Sequence, residues 1–233
     1  MPAERSPTPT PDLDIWETSL LDAASADIAA AKTVAGCAPE AVAVVPSPHQ
    51  CRPLVPNAGP AIERLSLYLD VIIEQAFRED PGPQPPRVED DQSALMDAAC
   101  RLCRGQCCLS GYDAHAHLGV EDIRRYRRRK PDATPEEIKA RYLTFLPEHR
   151  TGGGCYFQGE MGCTLPRPLR SELCNTFVCR AQSLLARAEA DGAEAMVIVG
   201  AIKSWPAAIA LWDETDGYRQ ITPSPAPCAP GDP

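Results

Sequence analysis

Cys100-Arg-Leu-Cys103-Arg-Gly-Gln-Cys107-Cys108 is the stretch on which the reading of this chain turns. Thiols packed this closely are not how a core is built, because each carries a redox liability that valine or alanine would not. Four more follow at Cys155, Cys163, Cys174 and Cys179, so eight of the eleven cysteines lie between Cys100 and Cys179. In a reducing compartment such a concentration holds a metal, and in an oxidising one it staples a small domain with disulfides.

Working outward from that stretch, the compartment decides between the two. The chain opens Met1-Pro-Ala-Glu-Arg-Ser-Pro-Thr-Pro-Thr-Pro, with no basic stretch leading into an apolar run, so no secretory leader is expected. The longest apolar stretch, Ala195–Ile202, falls well short of the ~20 residues that span a bilayer. The expectation is a soluble cytoplasmic protein whose reduced thiols bind a metal ion. A net charge of −9 argues against nucleic acid and anionic membranes as partners. The sequence names no protein partner.

The 233 residues allow one domain with tails or two small domains. Aromatic residues are scarce and alanine supplies much of the apolar content, which predicts a thin core that draws part of its stability from metal. The expected class is α+β: a mostly helical domain with a cysteine-bearing hairpin, a small C-terminal antiparallel sheet and disordered Pro-rich termini. Residues 1–60 read as a largely disordered Pro/Ala-rich region, with a short, loosely docked helix over 22–34. Residues 61–92 read as a helix and Pro-rich linker, 93–222 as the cysteine-cluster metal-binding domain, and 223–233 as a disordered tail.

Within this frame, Ile62, Leu65, Leu69, Ile72, Ile73 and Ala76 recur with helical period and predict a helix over 62–78. Ser93 is placed to cap a helix through Cys100. Continued to Cys107, that helix would set Cys100, Cys103 and Cys107 on one stripe, although Gly105 weakens it. A helix opens near Gly119, and Thr134-Pro-Glu-Glu137 predicts another, with Thr as cap, Pro at the first position and Glu at the third. Residues 155–163 read as a hairpin turning at Gly159 and Gly162. Pro168 or Ser171 then opens a helix running through Cys174 and Cys179 to Ala190, stopped at Gly192. Residues 196–202, 208–212 and 218–222 read as strands, with Trp205 and Trp212 in the sheet core. Cys37 and Cys51 have no partners at ligand spacing and stay outside the site.

Soft sulfur donors select zinc, copper(I) or iron–sulfur clusters. The spacing lacks the paired histidines of zinc fingers and the evenly spaced ferredoxin run ending in Cys-Pro. It therefore leaves the metal open between Zn2+ and an iron–sulfur cluster. Eight thiolates exceed the four that one tetrahedral zinc uses. They would fill two zinc sites, or hold an iron–sulfur cube with some left over.

The first cysteine run resembles the Cys-x2-Cys-x2/3-Cys-Cys signature of the YkgJ-type cysteine-cluster family, described as a zinc- or iron-chelating domain. That signature continues with Leu-x-x-Glu-Asp-Ile, matched by Leu118-Gly-Val-Glu121-Asp122-Ile123, then a Gly/Cys-rich hairpin and a Cys-x5-Arg-Pro-x2-Cys ending. Here the ending is Arg170-Ser-Glu-Leu-Cys174, with Ser171 where Pro is usual and one extra residue after Cys163. Arg167-Pro168 is a rival alignment. The resemblance spans about residues 95–182. It implies metal chelation by Cys100, Cys103, Cys107, Cys108, Cys155, Cys163, Cys174 and Cys179, with no stated activity. Flagellin lysine-N-methylases share the pattern and are linked to an iron–sulfur cluster, which tilts the metal toward iron–sulfur and makes a metal-cluster enzyme the first alternative. A zinc-stabilised nucleic-acid-binding module is the second.

Other residues read more plainly. Arg170 is the one non-cysteine assigned to the site, a guanidinium that offsets repulsion among thiolates; the plainer role is a salt bridge to Glu172 or Glu148. His115, His117 and His149 read as turn residues. The run Arg124-Arg-Tyr-Arg-Arg-Arg-Lys130 reads as a solvated helix face. One structural prediction follows from metal chemistry. Ligands about 2.3 Å from a shared ion must converge, so cysteines of the 100–108 and 155–179 groups should meet in one region. Placement of the groups on opposite sides of the domain would refute a shared site.

Overall fold

The computed structural model describes residues 13–83, 94–202 and 205–221. In chain order its elements are α1 (Ile15–Ala23), α2 (Ser25–Thr33), β1 (Val42–Pro48), β2 (Leu54–Pro56), α3 (Pro60–Phe77), α4 (Ala94–Cys103), α5 (Val120–Arg129), α6 (Pro135–Leu143), β3 (His149–Thr151), β4 (Gln158–Gly159), β5 (Gly162–Cys163), α7 (Glu172–Thr176), α8 (Arg180–Ala190), β6 (Ala195–Ile202), β7 (Trp205–Asp213) and β8 (Gly217–Gln220). The class is α+β. The elements gather into two units, each assembled from separated stretches. A sheet unit takes residues 13–51, 94–106, 178–202 and 205–221; a hairpin unit takes 52–83 and 107–177. This division cuts across the boundaries expected from sequence, because the two ends of the cysteine-rich region belong to the sheet unit.

The sheet unit is built around β6, whose Ala-Met-Val-Ile-Val-Gly-Ala-Ile sequence shows no polar alternation because both of its faces are covered. Ala195, Val197, Val199 and Ala201 join Ile209 and Leu211 of β7 in packing on Leu20, Ala24 and Ala31 of the N-terminal helical segment. Met196 and Ile198 face the other way, with Ala208, Ala210 and Trp212, onto Leu95, Ala99 and Leu102 of α4 and Leu184 and Leu185 of α8. The period of two along a strand thus feeds two separate cores. Gly200 is needed where these layers are tightest: a Cβ there would stand 3.2 Å from His49 Cβ and 3.3 Å from Leu102 Cγ.

Strand order is β1-β6-β7-β8. The pairings β6–β7 and β7–β8 are antiparallel, as the sequence predicts for the C-terminal sheet. β1 is an addition: it lies parallel to β6 from Val42↔Ala195 to Pro48↔Ala201. Pro46 and Pro48 disguise it, since proline lacks the N–H a central strand needs; at a sheet edge that loss is tolerated, and β1 is an edge. Together with α1 and α2 it gives regular structure to much of the region expected to be largely disordered. The disorder expected of the Pro-rich ends falls on residues 1–12 and 222–233, outside the described residues, as does the Ser93 cap. Trp212 is buried, but Trp205, placed in the sheet core by the sequence reading, is 74% exposed at the start of β7.

The hairpin unit packs the predicted face of α3, with Leu65, Leu69, Ile72, Ile73 and Ala76, against Ile123 of α5 and Ile138 and Tyr142 of α6, over Tyr156 and Phe157. Thr134 forms the expected capping box: its hydroxyl accepts from Glu137 N–H at 3.2 Å, and its own N–H donates to Glu137 Oε2 at 2.9 Å. The arginine run is not a solvated face. The Arg125 and Arg128 side chains are only 18% and 9% exposed. Arg127 and Arg128 donate to the carbonyls of Ala76 in the last turn of α3 and of Glu79 and Pro81 beyond it, and Arg127 stacks over Phe77. They cap a helix whose last turn carries no basic residue of its own.

Two predicted helices are shorter than expected. α4 stops at Cys103 because Arg104 and Gly105 turn left-handed, at φ 57° and 79°, so Cys107 leaves the stripe of Cys100 and Cys103. The helix expected from Ser171 to Ala190 is two, since Phe177 and Cys179 adopt extended backbone between α7 and α8.

Glu17, buried on α1, takes Arg180 of α8 in a two-point pair at 2.6 and 2.7 Å. The guanidinium hydrogen bond holds its carboxyl below the ordinary value, against desolvation. A depressed carboxylate stabilises the fold fully above its ordinary pKa and loses that contribution as pH falls through the lowered value. Glu17→Gln should therefore cost about 1–2 kcal/mol at neutral pH, discounted for the half-exposed Arg180. In urea unfolding the gap from the parent chain should shrink below pH 4.5; a gap independent of pH would refute the pair.

Candidate metal centre

The eight cysteines assigned from sequence divide between the units, and each group draws on both sequence bursts. The hairpin unit holds Cys107, Cys108, Cys155, Cys163 and Cys174; the sheet unit holds Cys100, Cys103 and Cys179. All eight are free thiols, as is Cys37, whereas Cys51 is disulfide-bonded.

In the hairpin unit, a 3-10 turn over Gln106–Gly111 delivers Cys107 and Cys108, and the hairpin of β4 and β5 delivers Cys155 and Cys163. Cys155 N–H donates to Cys108 O at 3.0 Å, tying the two segments together. Gly111 permits this approach: a Cβ there would lie 2.7 Å from Cys155 Cβ. Ser171 caps α7, its hydroxyl accepting from Cys174 N–H at 3.2 Å. Cys174 Sγ turns toward the carbonyl of Ala116, at 4.0 Å. That carbonyl belongs to a left-handed turn, His115-Ala116-His117, at φ 49°, 59° and 55°. Its histidines serve the turn: His115 stacks on Tyr68 with centroids 4.1 Å apart, and His117 meets Ser110.

The thiols of the hairpin unit influence one another's titration. Cys163 interacts with each of Cys107, Cys108, Cys155 and Cys174. Arg170 belongs to the same unit. Its Nε donates to Leu165 O at 2.8 Å, and its charge reaches Cys107, Cys163 and Cys174. Cys108 donates its proton to Cys107, and that hydrogen bond, helped by Arg170, lowers Cys107 to about 7 while raising Cys108. Desolvation pushes Cys155 up to about 12. It also raises Cys163, opposed by Arg170, and Cys174, opposed by Ser171.

In the sheet unit, Cys100 and Cys103 sit on the last turn of α4 and Cys179 caps α8. Gln182 joins them: its Oε1 accepts from Cys179 N–H at 3.1 Å and its Nε2 donates to Cys100 Sγ at 3.4 Å. Cys103 Sγ accepts from Gln106 N–H at 3.3 Å. The end of α4 is held by residues the sequence reading passed over. His49 bonds to the Leu102 carbonyl through Nδ1, and Gln50 N–H donates to Cys103 O at 3.1 Å. Nothing in the spacing of His49, fifty residues upstream, announces that role.

Cys163 and the four thiols it interacts with are soft donors, and the charge of Arg170 reaches three of the five. Among the described residues, no three His, Cys, Asp or Glu side chains already stand where a single ion would be held by all of them. Also among the described residues, no helix is long and apolar enough to cross a membrane. Compared with protein-family models, curated proteins and solved structures, the chain matches none.

The Cys107–Cys108 pair carries a direct test. A lowered thiol pKa exposes the nucleophilic thiolate at lower pH. In metal-free protein, iodoacetamide labelling of Cys107 should rise with a midpoint near pH 7, and Cys108→Ala should move that midpoint upward. A midpoint in the ordinary thiol range in the parent chain would refute the pairing.

Proposed function

We propose that the chain is a thiolate metal-centre protein, its principal donors Cys107, Cys108, Cys155, Cys163 and Cys174. What supports this reading is that these five thiols, from both sequence bursts, fall in one unit, with Cys155 tied to Cys108 by a backbone hydrogen bond and with Cys163 and Arg170 influencing the titration of the others. Buried apolar cysteines have no use for a guanidinium, whereas thiolates repel one another and need one. Cys100, Cys103 and Cys179, with Gln182, are assigned to the same chemistry as a second donor group. The resemblance to the YkgJ-type cysteine-cluster family supports chelation and, through the methylase relatives, an iron–sulfur cluster before zinc. A bound cluster would supply one-electron chemistry; zinc would supply a cross-link. The chain's own contribution is to present thiolates, to balance their charge through Arg170 and to fix their directions through Gly111 and Ser171. Thiolates must stay reduced to ligate, so we place the working chain in a reducing, cytoplasmic compartment, against which the disulfide at Cys51 stands. Nucleic acid draws no support from the arginine run, whose guanidinium groups bind carbonyls and carboxylates of the hairpin unit.

Anaerobic purification with iron, zinc and acid-labile sulfide analysis tests the proposal. Iron with matching sulfide and a brown absorbance is expected, lost in the Cys107→Ser, Cys163→Ser double variant. Stoichiometric zinc without iron would overturn the choice of cluster, and protein free of both metals would overturn the whole reading. Metal removal should lower the melting transition of the 107–177 region, because structural thiolate sites contribute folding energy.

A further inference from the structure

We infer that Asp122 and Arg125 of α5 are positioning residues for the thiol cluster, a clasp that fixes the segment carrying Arg170 and Cys174. The inference rests on the thiolate-centre reading and gives Asp122 and Arg125 a shared purpose.

Asp122 is buried and uses both carboxylate oxygens. Oδ2 accepts from Gly119 N–H at 2.8 Å, closing the start of its own helix. Oδ1 turns outward to accept from Glu172 N–H at 3.0 Å and from Arg125 at 2.9 Å. Arg125 grips the same segment twice more: it donates to the Arg170 carbonyl, and its second terminal nitrogen meets Glu172 Oε2 at 3.0 Å. Two side chains of α5 thus hold both backbone ends of the Arg170-Ser171-Glu172 step. Ser171, between those ends, is the residue whose hydroxyl caps Cys174.

Packing holds Leu169 just before this segment but not α7 itself. α7 has five residues, none of them buried, and a helix of that length does not sustain itself. Its direction must come from polar anchors: the clasp, the Ser171 cap and Asn175 Nδ2, which donates to Arg167 O at 3.1 Å. Of these, the clasp alone reaches a core helix, since the residue after Asp122, Ile123, is fully buried against α3. The neighbouring acid is different. Glu121 pairs with Arg124 and Arg128 on its own helix and does not touch the segment.

The test uses the full chain, reconstituted anaerobically with Co2+ alone and followed by thiolate-to-cobalt charge transfer. Asp122→Asn should weaken Co2+ binding about 10–100-fold, while Glu121→Gln leaves it unchanged. Cys174→Ser should weaken it comparably, and the double variant should lose no more than the worse single. Additive losses would overturn the clasp, because they would mean that Asp122 acts elsewhere than through Cys174. If Asp122→Asn does not fold, Arg125→Lys, which keeps the charge and loses the fork, takes its place with the same expectation. Should the parent chain bind no Co2+, the metal-centre reading fails by itself. The clasp is then read from alkylation of the metal-free chain: Asp122→Asn should speed labelling of Cys174 and not of Cys163, and equal rates in parent and variant would overturn it.

Discussion

Thiols confined to one small volume cannot all surrender their protons, since each new thiolate raises the cost of the next. The hairpin unit meets that constraint in two ways. The hydrogen bond between Cys107 and Cys108 pushes one thiol down and its neighbour up. Arg170 brings a fixed positive charge that reaches three of the five sulfurs. A guanidinium stays charged at any physiological pH, so it favours thiolates at all times and does not compete with a metal for their lone pairs. The other features of the unit follow from keeping that arrangement: Gly111 lets Cys155 approach, and the left-handed turn at residues 115–117 brings a carbonyl to Cys174.

Charges that recur along one helix are often solvent-facing, and α5 is instructive because its charges are not. Its arginines reach carbonyls at and beyond the end of α3 on one side and the segment before α7 on the other. A long flexible stem ending in a planar fork serves this well, since one guanidinium bonds several acceptors at once. The helix works as a strut whose two flanks are polar and whose buried ridge, at Ile123, is apolar.

What was legible in the sequence followed from periodicity and turn chemistry. The face of α3, the Thr134 capping box, the hairpin at Gly159 and Gly162, and the three C-terminal strands all rest on residues close together in the chain. The cysteines stand out in the sequence as candidate donors because their chemistry is unusual wherever they sit. The rest depends on distant segments meeting. β1 hid behind Pro46 and Pro48 because only its place at an edge excuses them. His49, Gln182 and the pair Asp122–Arg125 bond Leu102, Cys100 and the Arg170–Glu172 backbone from far along the chain, and no local pattern marks them. The break between α7 and α8 was missed because residues 171–190 carry no proline or glycine to force it.

The parallel pairing of β1 with β6 has a cost during synthesis. Val42 meets Ala195, so the first strand of the sheet leaves the ribosome 153 residues before the strand it must join (195 − 42). At about 5–20 residues per second, that is a wait of roughly 8–30 seconds. All eight clustered cysteines emerge within that interval, before the sheet can close. A nascent chain of this design presents bare thiols to the cell for many seconds, and what reaches them first, metal or oxidant, is decided by kinetics as much as by the finished fold.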